Sequence, residues 1–163
     1  MFWRLTGSEY AASNKDRNRG MLHRLVEAGT VAPGLLAYRD AEPAGWISVG
    51  RRGDYLRLAR SRHFAAIDDQ MVFSVICLRV VPAHRGAGVS LALVRAAVEH
   101  AGEYGAAAVE ACPVRTDGRR LQAGQVYCGT LDLFAAAGFQ VVRQRTGAVS
   151  GGCPRVIVRR YLT

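Results

Sequence analysis

The stretch MVFSVICLRVVPAHRGAGVSLALV, residues Met71 to Val94, decides the fold. Its first part, Met71 to Val81, is rich in β-branched residues and apolar at both alternating sets of positions, which is typical of a central strand covered on both faces. Pro82 ends this strand, because proline cannot donate to a strand ladder. From Val89 onward the apolar residues recur at helical spacing. The sequence therefore predicts a buried strand, a short turn and a helix in direct succession.

The turn between them, HRGAGVS from His84 to Ser90, has the composition of an anion-binding site. Its glycines let the backbone turn tightly and approach a ligand without a Cβ in the way. The first N–H groups of the following helix have no partner within the helix, and the helix dipole places partial positive charge there. Arg85 adds a formal charge at the rim, so the turn suits a pyrophosphate. The sequence has neither the P-loop pattern GxxxxGK[ST] nor the dinucleotide pattern GxGxxG, since Leu91 replaces the third glycine of the latter.

The remaining sequence predicts an α/β architecture with a mixed sheet, in one domain over residues 1–163. The predicted elements are a surface helix over Ser8–Ala28, a hairpin over Gly34–Gly50, a buried strand over Ala106–Val114, a helix over Tyr127–Ala136, and closing strands over Phe139–Arg145 and Arg155–Leu162. The chain thus reads as a strand–turn–helix–strand unit followed by a helix and two strands.

Composition and charge limit the classes of protein to which the chain can belong. Hydrophobic residues make up 50% and charged residues 21%, as in ordinary globular proteins. The formal net charge of +9 comes almost entirely from arginines spread along the chain, since Lys15 is the only lysine. We interpret this charge mainly as compositional bias, with an anionic partner such as a cofactor phosphate or a nucleic acid as the alternative.

Membrane and metal chemistry are not predicted. No apolar stretch approaches the ~20 residues of a membrane helix, and the first residues lack a signal-peptide pattern, so the expected location is the cytoplasm. The four cysteines form no CxxC pair and have no histidine at metal-ligand spacing, so we expect free thiols and no metal.

Two segments carry a resemblance to a known family. The segment LRVVPAHRGAGVSLALV, from Leu78 to Val94, resembles the acyl-CoA-binding motif of the GNAT superfamily, in which arginine or glutamine is followed by spaced glycines. Arg85 matches the basic position and Gly88 the central glycine, while Ser90 stands where glycine or alanine is usual. The segment LDLFAAAGF, Leu131 to Phe139, resembles the second family signature. The resemblance implies a GNAT-like fold with a splayed central pair of parallel strands flanked by helices.

The resemblance also implies a cofactor and its contacts. Acetyl-CoA would be the co-substrate, with its pantetheine arm in the splay and an amine as acceptor. Backbone groups of Leu78 and Val80 would pair with pantetheine. The residues implied to hold the pyrophosphate are Arg85, Gly86, Ala87, Gly88, Val89 and Ser90. Phe134 stands where the family often has a proton-donating tyrosine; it is expected to contact the cofactor but cannot donate a proton. A homodimer is a family-level expectation.

Two residues are predicted as catalytic. Tyr127 lies seven positions before Phe134, which would place it on the same face of the predicted helix, about two turns away. Glu110 interrupts the apolar strand and is the first candidate for the base, the alternatives being that it pairs with an arginine or faces solvent. Asp68 and Asp69 are weaker candidates.

The sequence leaves the acceptor open. The main hypothesis is an N-acetyltransferase acting on a primary amine of a small molecule or protein, by direct attack in a ternary complex. One alternative is an acyl-CoA sensor with reduced catalysis, which the phenylalanine at position 134 favours. Another is an enzyme that acetylates aminoacyl-tRNA, with the positive charge as its docking face. An arginine-lined mouth favouring an anionic acceptor is a further hypothesis, resting on Arg57, Arg60, Arg62, Arg119 and Arg120.

Overall fold

The computed structural model describes residues 1–61 and 64–162, with no side-chain description for residues 145–149. The helices are α1 (Gly7–Ala11), α2 (Lys15–Ala28), α3 (Leu56–Ala59), α4 (Val89–Glu103) and α5 (Leu131–Ala136), with single 3₁₀ turns at Arg52–Asp54 and Pro82–His84. The strands are β1 (Leu35–Arg39), β2 (Glu42–Arg51), β3 (Val72–Val80), β4 (Ala108–Ala111), β5 (Gln140–Ser150) and β6 (Cys153–Tyr161).

The strands form a six-stranded mixed sheet in the order β1-β2-β3-β4-β6-β5. The central β3 and β4 are parallel, and the other neighbouring strands are antiparallel. The predicted mixed α/β sheet with a central parallel pair and flanking helices is confirmed. Helix α4 is the crossover between the parallel strands, as a parallel connection requires.

The two faces of the sheet are covered by different parts of the chain. On one face, apolar residues of α4 and α5 form the main core with β-branched and aromatic residues of β2, β3 and β6. On the other face, Tyr55, Leu58 and Ile76 form a smaller cluster with Trp3 and Phe64. Since both faces of β3 are covered, its apolar character on both faces is explained.

A β-bulge in β3 marks the point where the two central strands separate. Ser48 pairs with Cys77 and Val49 pairs with Val75, so Ile76 is the extra residue. The parallel pairing of β3 with β4 ends at Val75, although β3 continues to Val80. The second half of β3 therefore has no partner in β4, as the splayed pair predicts, and we call this side of β3 its open edge.

Three predicted elements differ from the structure. The helix predicted over Ser8–Ala28 is two helices, because Asn14 caps a new one by accepting a hydrogen bond from the N–H of Arg17 at 2.8 Å. The second buried strand pairs with β3 only as far as Ala111. The helix predicted from Tyr127 begins at Leu131. Within the described residues, no helix combines the length and the apolar character needed to cross a membrane.

Candidate functional site

The glycine turn after β3 has the open backbone that its sequence predicts. Gly86 and Gly88 have φ angles of +78° and +76°, a region that residues with a Cβ rarely adopt. A Cβ at either position would have no heavy atom within 4 Å, so the space above the turn is free. The side chain of Arg85 is exposed beside it and forms no ion pair with the described part of the chain.

The N-terminus of α4 points its free donors at this turn. Gly88 is the N-cap residue and supplies no capping side chain. The first helical hydrogen bond runs from the N–H of Ala92 to the carbonyl of Gly88, at 3.1 Å. The N–H groups of Val89, Ser90 and Leu91 therefore precede the helical ladder, and α4 is 15 residues long. The turn and the helix dipole together make a site for an anion.

The open edge of β3 leads from this turn toward the centre of the sheet. The N–H of Val81 donates to the carbonyl of Ala44 in β2, at 2.9 Å. Because backbone groups alternate along a strand, the N–H and C=O of Leu78 and Val80 face the other way, into the gap between β3 and β4. These are the backbone groups that the resemblance assigns to pantetheine.

A segment of the chain, Tyr127–Thr130, bridges this gap. The carbonyl of Tyr127 accepts a 2.7 Å hydrogen bond from the N–H of Leu78. The thiol of Cys128 donates to the carbonyl of Ile76 at 3.2 Å. On the far side, the carbonyl of Gly129 accepts from the N–H of Val114 at 3.1 Å. The segment Tyr127–Thr130, which begins in a turn, thus fills the gap between the two strands.

The prediction that Tyr127 lies on a helix is wrong. Gly129 has a φ of +82°, outside the helical region, and Thr130 has an extended backbone. The Thr130 hydroxyl accepts a hydrogen bond from the N–H of Leu133 at 3.4 Å, which caps α5. Tyr127 therefore lies in a turn, which the 2.7 Å hydrogen bond from the N–H of Gly129 to the carbonyl of Val126 closes, and its own carbonyl faces β3.

Burial keeps two groups of this segment protonated. Burial, more than any neighbouring charge, raises the pKa of the Tyr127 phenol well above its usual range. Burial likewise raises the pKa of the Cys128 thiol to about 11. At neutral pH neither group is a base or a thiolate nucleophile, but the Tyr127 phenol keeps a proton that it can donate in a hydrogen bond.

A cavity of about 460 Å³ lies on the sheet face that the N-terminal segment covers. We call it the aromatic cavity because five of its lining residues are Phe2, Trp3, Tyr10, Trp46 and Tyr127. The bulge turns the side chains of both Ile76 and Cys77 toward it. Since Tyr127 also bonds to Leu78, the cavity meets the open edge of β3 at the bulge.

The polar lining of the aromatic cavity carries positive charge. Among the described residues that line the cavity, Arg4 has the only charged side chain, and none is Asp, Glu or His. Arg4 stacks over the ring of Tyr55, 4.5 Å from the centroid. It also lines a neighbouring cavity of about 680 Å³, together with Arg24 and Arg51.

Glu110 is buried in an arginine network. Its Oε2 accepts a 2.9 Å hydrogen bond from Nε of Arg159, and Arg159 donates to Asp68 at 2.6 Å. The other oxygen, Oε1, lies 3.8 Å from Nε of Arg52. Glu110 faces a separate cavity of about 20 Å³, room for about one water molecule. The arrangement matches the alternative in which Glu110 pairs with arginine, and it offers no lone base to the aromatic cavity.

Other predicted residues lie away from the open edge. Phe134 is fully buried in the main core, in edge-to-face contact with Phe139, and its contact with the cofactor stays a prediction. Arg57 donates to the carbonyls of Leu5 and Thr6, and Arg119 to those of the β5–β6 turn. None of Arg57, Arg60, Arg119 and Arg120 lines the aromatic cavity, and Arg62 lies outside the described residues. The structure thus does not place the predicted arginines at its mouth.

The comparison with protein families decides the assignment. The acetyltransferase (GNAT) family matches residues 2–127, more than three quarters of the chain. The chain belongs to the GNAT acetyltransferase family. The match covers the glycine turn, the open edge and the N-terminal segment that lines the aromatic cavity. No curated protein has a significant sequence match.

Solved structures share the GNAT fold at low sequence identity. A proposed acetyltransferase from Salmonella typhimurium, determined with its cofactor acetyl-CoA, is 18% identical with a TM-score of 0.60, covering 93% of this chain and 75% of its own. A ribosomal-protein-alanine N-acetyltransferase from Brucella melitensis is 17% identical with a TM-score of 0.58, covering 92% and 80%. An acetyltransferase from Bacillus subtilis, in complex with CoA, is 16% identical with a TM-score of 0.54, covering 98% and 95%.

The aromatic cavity was not predicted from the sequence. Its walls come from separate parts of the chain: the N-terminal segment, α1 and α2, β2, the bulge of β3, and the chain before α5. The signal in the sequence was the dense aromatic start, with Phe2 and Trp3 next to Arg4. Within the described residues, no cluster of three or more His, Cys, Asp or Glu side chains could hold a metal ion.

Proposed function

We propose that this GNAT protein transfers the acetyl group of acetyl-CoA to a primary amine, by direct attack in a ternary complex. The observation that carries the proposal is the glycine turn at the head of α4, with its free backbone donors and open space, at the end of a strand whose second half has no partner in β4. Transfer of an acetyl group needs a held thioester, a neutral amine and stabilisation of the charge that develops on the carbonyl oxygen.

The glycine turn would hold the diphosphate of acetyl-CoA. The backbone N–H of Arg85 already donates to the carbonyl of Pro82 at 3.3 Å, so the N–H groups of Gly86–Ser90 supply the donors at the positive end of the α4 dipole. The Arg85 guanidinium adds a charge-assisted contact. From there the open edge of β3 gives pantetheine amides a strand to pair with, beginning at Val80. This path ends at the bulge, beside the aromatic cavity.

The N–H of Leu78 is the donor that would polarise the thioester carbonyl. A backbone N–H at this position is fixed in a strand and costs no reorganisation as negative charge develops on the oxygen. In the structure this donor is already bonded to the carbonyl of Tyr127. Acetyl-CoA therefore has to exchange with Tyr127 for the same N–H, so the segment Tyr127–Thr130 shifts when the co-substrate binds.

Proton transfer in this proposal uses little side-chain machinery. The aromatic cavity has no carboxylate or imidazole among its described lining residues, and Glu110 is engaged by Arg159. Burial and the nearby Arg4 charge both disfavour an ammonium ion, so a bound amine loses its proton more readily than it does in water. The proton leaves through solvent. The Tyr127 phenol, kept protonated by burial, can donate a hydrogen bond to the departing sulfur.

Free thiol release tests the proposal. Purified protein is incubated with acetyl-CoA and a panel of amines, and coenzyme A release is followed with a thiol reagent against reactions lacking protein. Release that depends on an amine supports transfer. Tight binding of coenzyme A with no release for any amine would favour the sensor, and turnover only with aminoacyl-tRNA would favour the tRNA-directed enzyme. The homodimer and the cytoplasmic location stay predictions.

A further inference from the structure

The aromatic cavity has the size and the walls of a site for one compact apolar group. Its volume of about 460 Å³ lies within the range of small-molecule pockets. Its apolar walls are the aromatic residues of the N-terminal segment and β2, with Leu22 of α2 and Ile76 of the bulge. An aromatic or large aliphatic side chain would replace water against these walls and gain stacking contacts.

Arg4 gives this cavity a fixed positive charge with no acidic partner. Its side chain is half-buried, and within residues 1–61 and 64–162 it forms no ion pair. Its contact with the Tyr55 ring places the guanidinium next to Gly50, at the boundary between the two cavities that Arg4 lines, without neutralising its charge. A half-buried cation that faces a cavity is stabilised by an anionic ligand group, and a guanidinium binds a carboxylate through paired hydrogen bonds.

The same lining disfavours cationic acceptors. The aromatic cavity offers no carboxylate from the described residues, and the adjoining cavity, which Arg4 also lines, adds Arg24 and Arg51 and only Asp54 as an acid. A polyamine or an aminoglycoside would bring several positive charges to this surface, where like charges repel.

From these features we infer that the acceptor is an amino acid-like amine, with an aromatic or large apolar side chain in the aromatic cavity and a carboxylate bound by Arg4. This inference rests on the proposed function, because it names the acceptor of the same transfer. Arg4 then determines specificity by binding the acceptor rather than by moving a proton. The amine lies between the carboxylate at Arg4 and the side chain, on the side of the cavity that meets the bulge.

The test compares acceptors that differ by one group. Phenylalanine has both features, phenylalaninamide lacks the carboxylate, glycine lacks the side chain and spermidine is a polycation. We expect kcat/KM to be highest for phenylalanine. The Arg4→Gln variant should lose about tenfold to hundredfold in kcat/KM for phenylalanine, the size of a lost charged hydrogen bond, and change little for phenylalaninamide. Arg4→Lys should recover part of the loss. Arg19→Gln, which removes an equal charge from the exposed surface of α2, is the matched control.

Equal losses for phenylalanine and phenylalaninamide in Arg4→Gln would overturn the inference, because a merely structural role of Arg4 predicts that result. A wild-type preference for phenylalaninamide, glycine or spermidine would overturn it as well. Calorimetric titration of phenylalanine into the protein without coenzyme A separates the two proposals. Binding that depends on Arg4, in a protein that does not bind coenzyme A, would keep this site and reject the transferase. Turnover of amines without any preference for a carboxylate would support the transferase and reject the Arg4 site.

Discussion

The backbone N–H of Leu78 donates a 2.7 Å hydrogen bond to the carbonyl of Tyr127. Leu78 lies in β3, just beyond the bulge, and Tyr127 lies in the turn before α5. The bond closes the opening between the central strands with the chain's own backbone. In the proposed function acetyl-CoA uses the same donor, so the state with a free N–H at Leu78 would be the state that binds the thioester.

This relationship predicts a local rearrangement on co-substrate binding. Acetyl-CoA should change the amide NMR signals of Leu78 and Gly129 and the hydrogen-exchange rates of residues 126–130, because the Tyr127 carbonyl is displaced. The amide of Val109, inside β4, is the internal control and should change little. An unchanged Leu78 amide in the saturated complex would contradict the exchange of partners.

Substitution of Gly88 should separate cofactor binding from overall folding. Gly88→Val places a β-branched residue at a φ of +76°, so the turn must leave its conformation and its N–H groups lose their alignment. We expect a stability loss of about 1–2 kcal/mol and a weakening of coenzyme A binding by about tenfold or more. The measurements are thermal unfolding and calorimetric titration.

Gly124→Val is the matched control for Gly88. Gly124 is exposed, a Cβ there would meet no atom within 4 Å, and its φ is not positive. This variant should bind coenzyme A like the wild type. If both valine variants bound equally well, the glycine turn would not be the diphosphate site.

Glu110 should behave as a structural residue. Glu110→Gln removes one of the two carboxylates bonded to the buried Arg159, and weakening this buried ion pair should cost up to about 3–5 kcal/mol of folding stability. Because Glu110 makes no contact with the aromatic cavity, the pH dependence of kcat should keep its shape in the folded variant. Glu99→Gln, on the exposed face of α4, should change neither property. A flattened pH profile with unchanged stability would instead make Glu110 the base.

Tyr127→Phe tests the phenol apart from the backbone. The variant keeps the carbonyl that bonds to Leu78 and removes only the proton donor. If the phenol stabilises the departing thiolate, kcat should fall by about tenfold, as expected for one lost hydrogen bond to a charged group, while KM for acetyl-CoA stays nearly constant. Tyr38→Phe, on the exposed side of β1, is the control. An unchanged kcat would remove Tyr127 from the reaction.

Acid should lower the free energy of unfolding by protonating the Asp68 carboxylate. The hydrogen bond from Arg159 lowers the pKa of the Asp68 carboxyl below its usual value. The carboxylate therefore adds stability at pH values above about 3.9, the unfolded pKa, and this contribution is lost as the pH falls through the lower folded pKa. In acid titrations of stability, Asp68→Asn should flatten this dependence, and Asp69→Asn should not. Parallel curves for the wild type and Asp68→Asn would contradict the ion pair.

The sequence was informative where one segment carries the whole signal. The run from Met71 to Val94 combines a strand pattern, two glycines and a helical pattern, so the central strand, the turn and α4 follow from local rules. Each of these features depends on neighbours in the sequence. The helix cap at Thr130 is also a local feature, so the sequence could have predicted that α5 begins at Leu131 rather than at Tyr127.

The sequence was uninformative where partners are distant along the chain. Glu110 contacts Arg159 because β4 pairs with β6. Asp68 joins the network because the segment before β3 lies next to Arg159. The Leu78–Tyr127 bond joins residues far apart in the sequence and involves only backbone atoms, which no side-chain pattern reports. Tertiary pairing of this kind sets the role of Glu110 and the shape of the aromatic cavity.

Calorimetric titration with acetyl-CoA and with S-acetylpantetheine, which lacks the diphosphate, tests the central claim most directly. If the N–H groups at the head of α4 bind the diphosphate, one acetyl-CoA should bind per chain and S-acetylpantetheine should bind at least about tenfold more weakly. Equal affinity for the two compounds, or no heat with acetyl-CoA, would contradict the account.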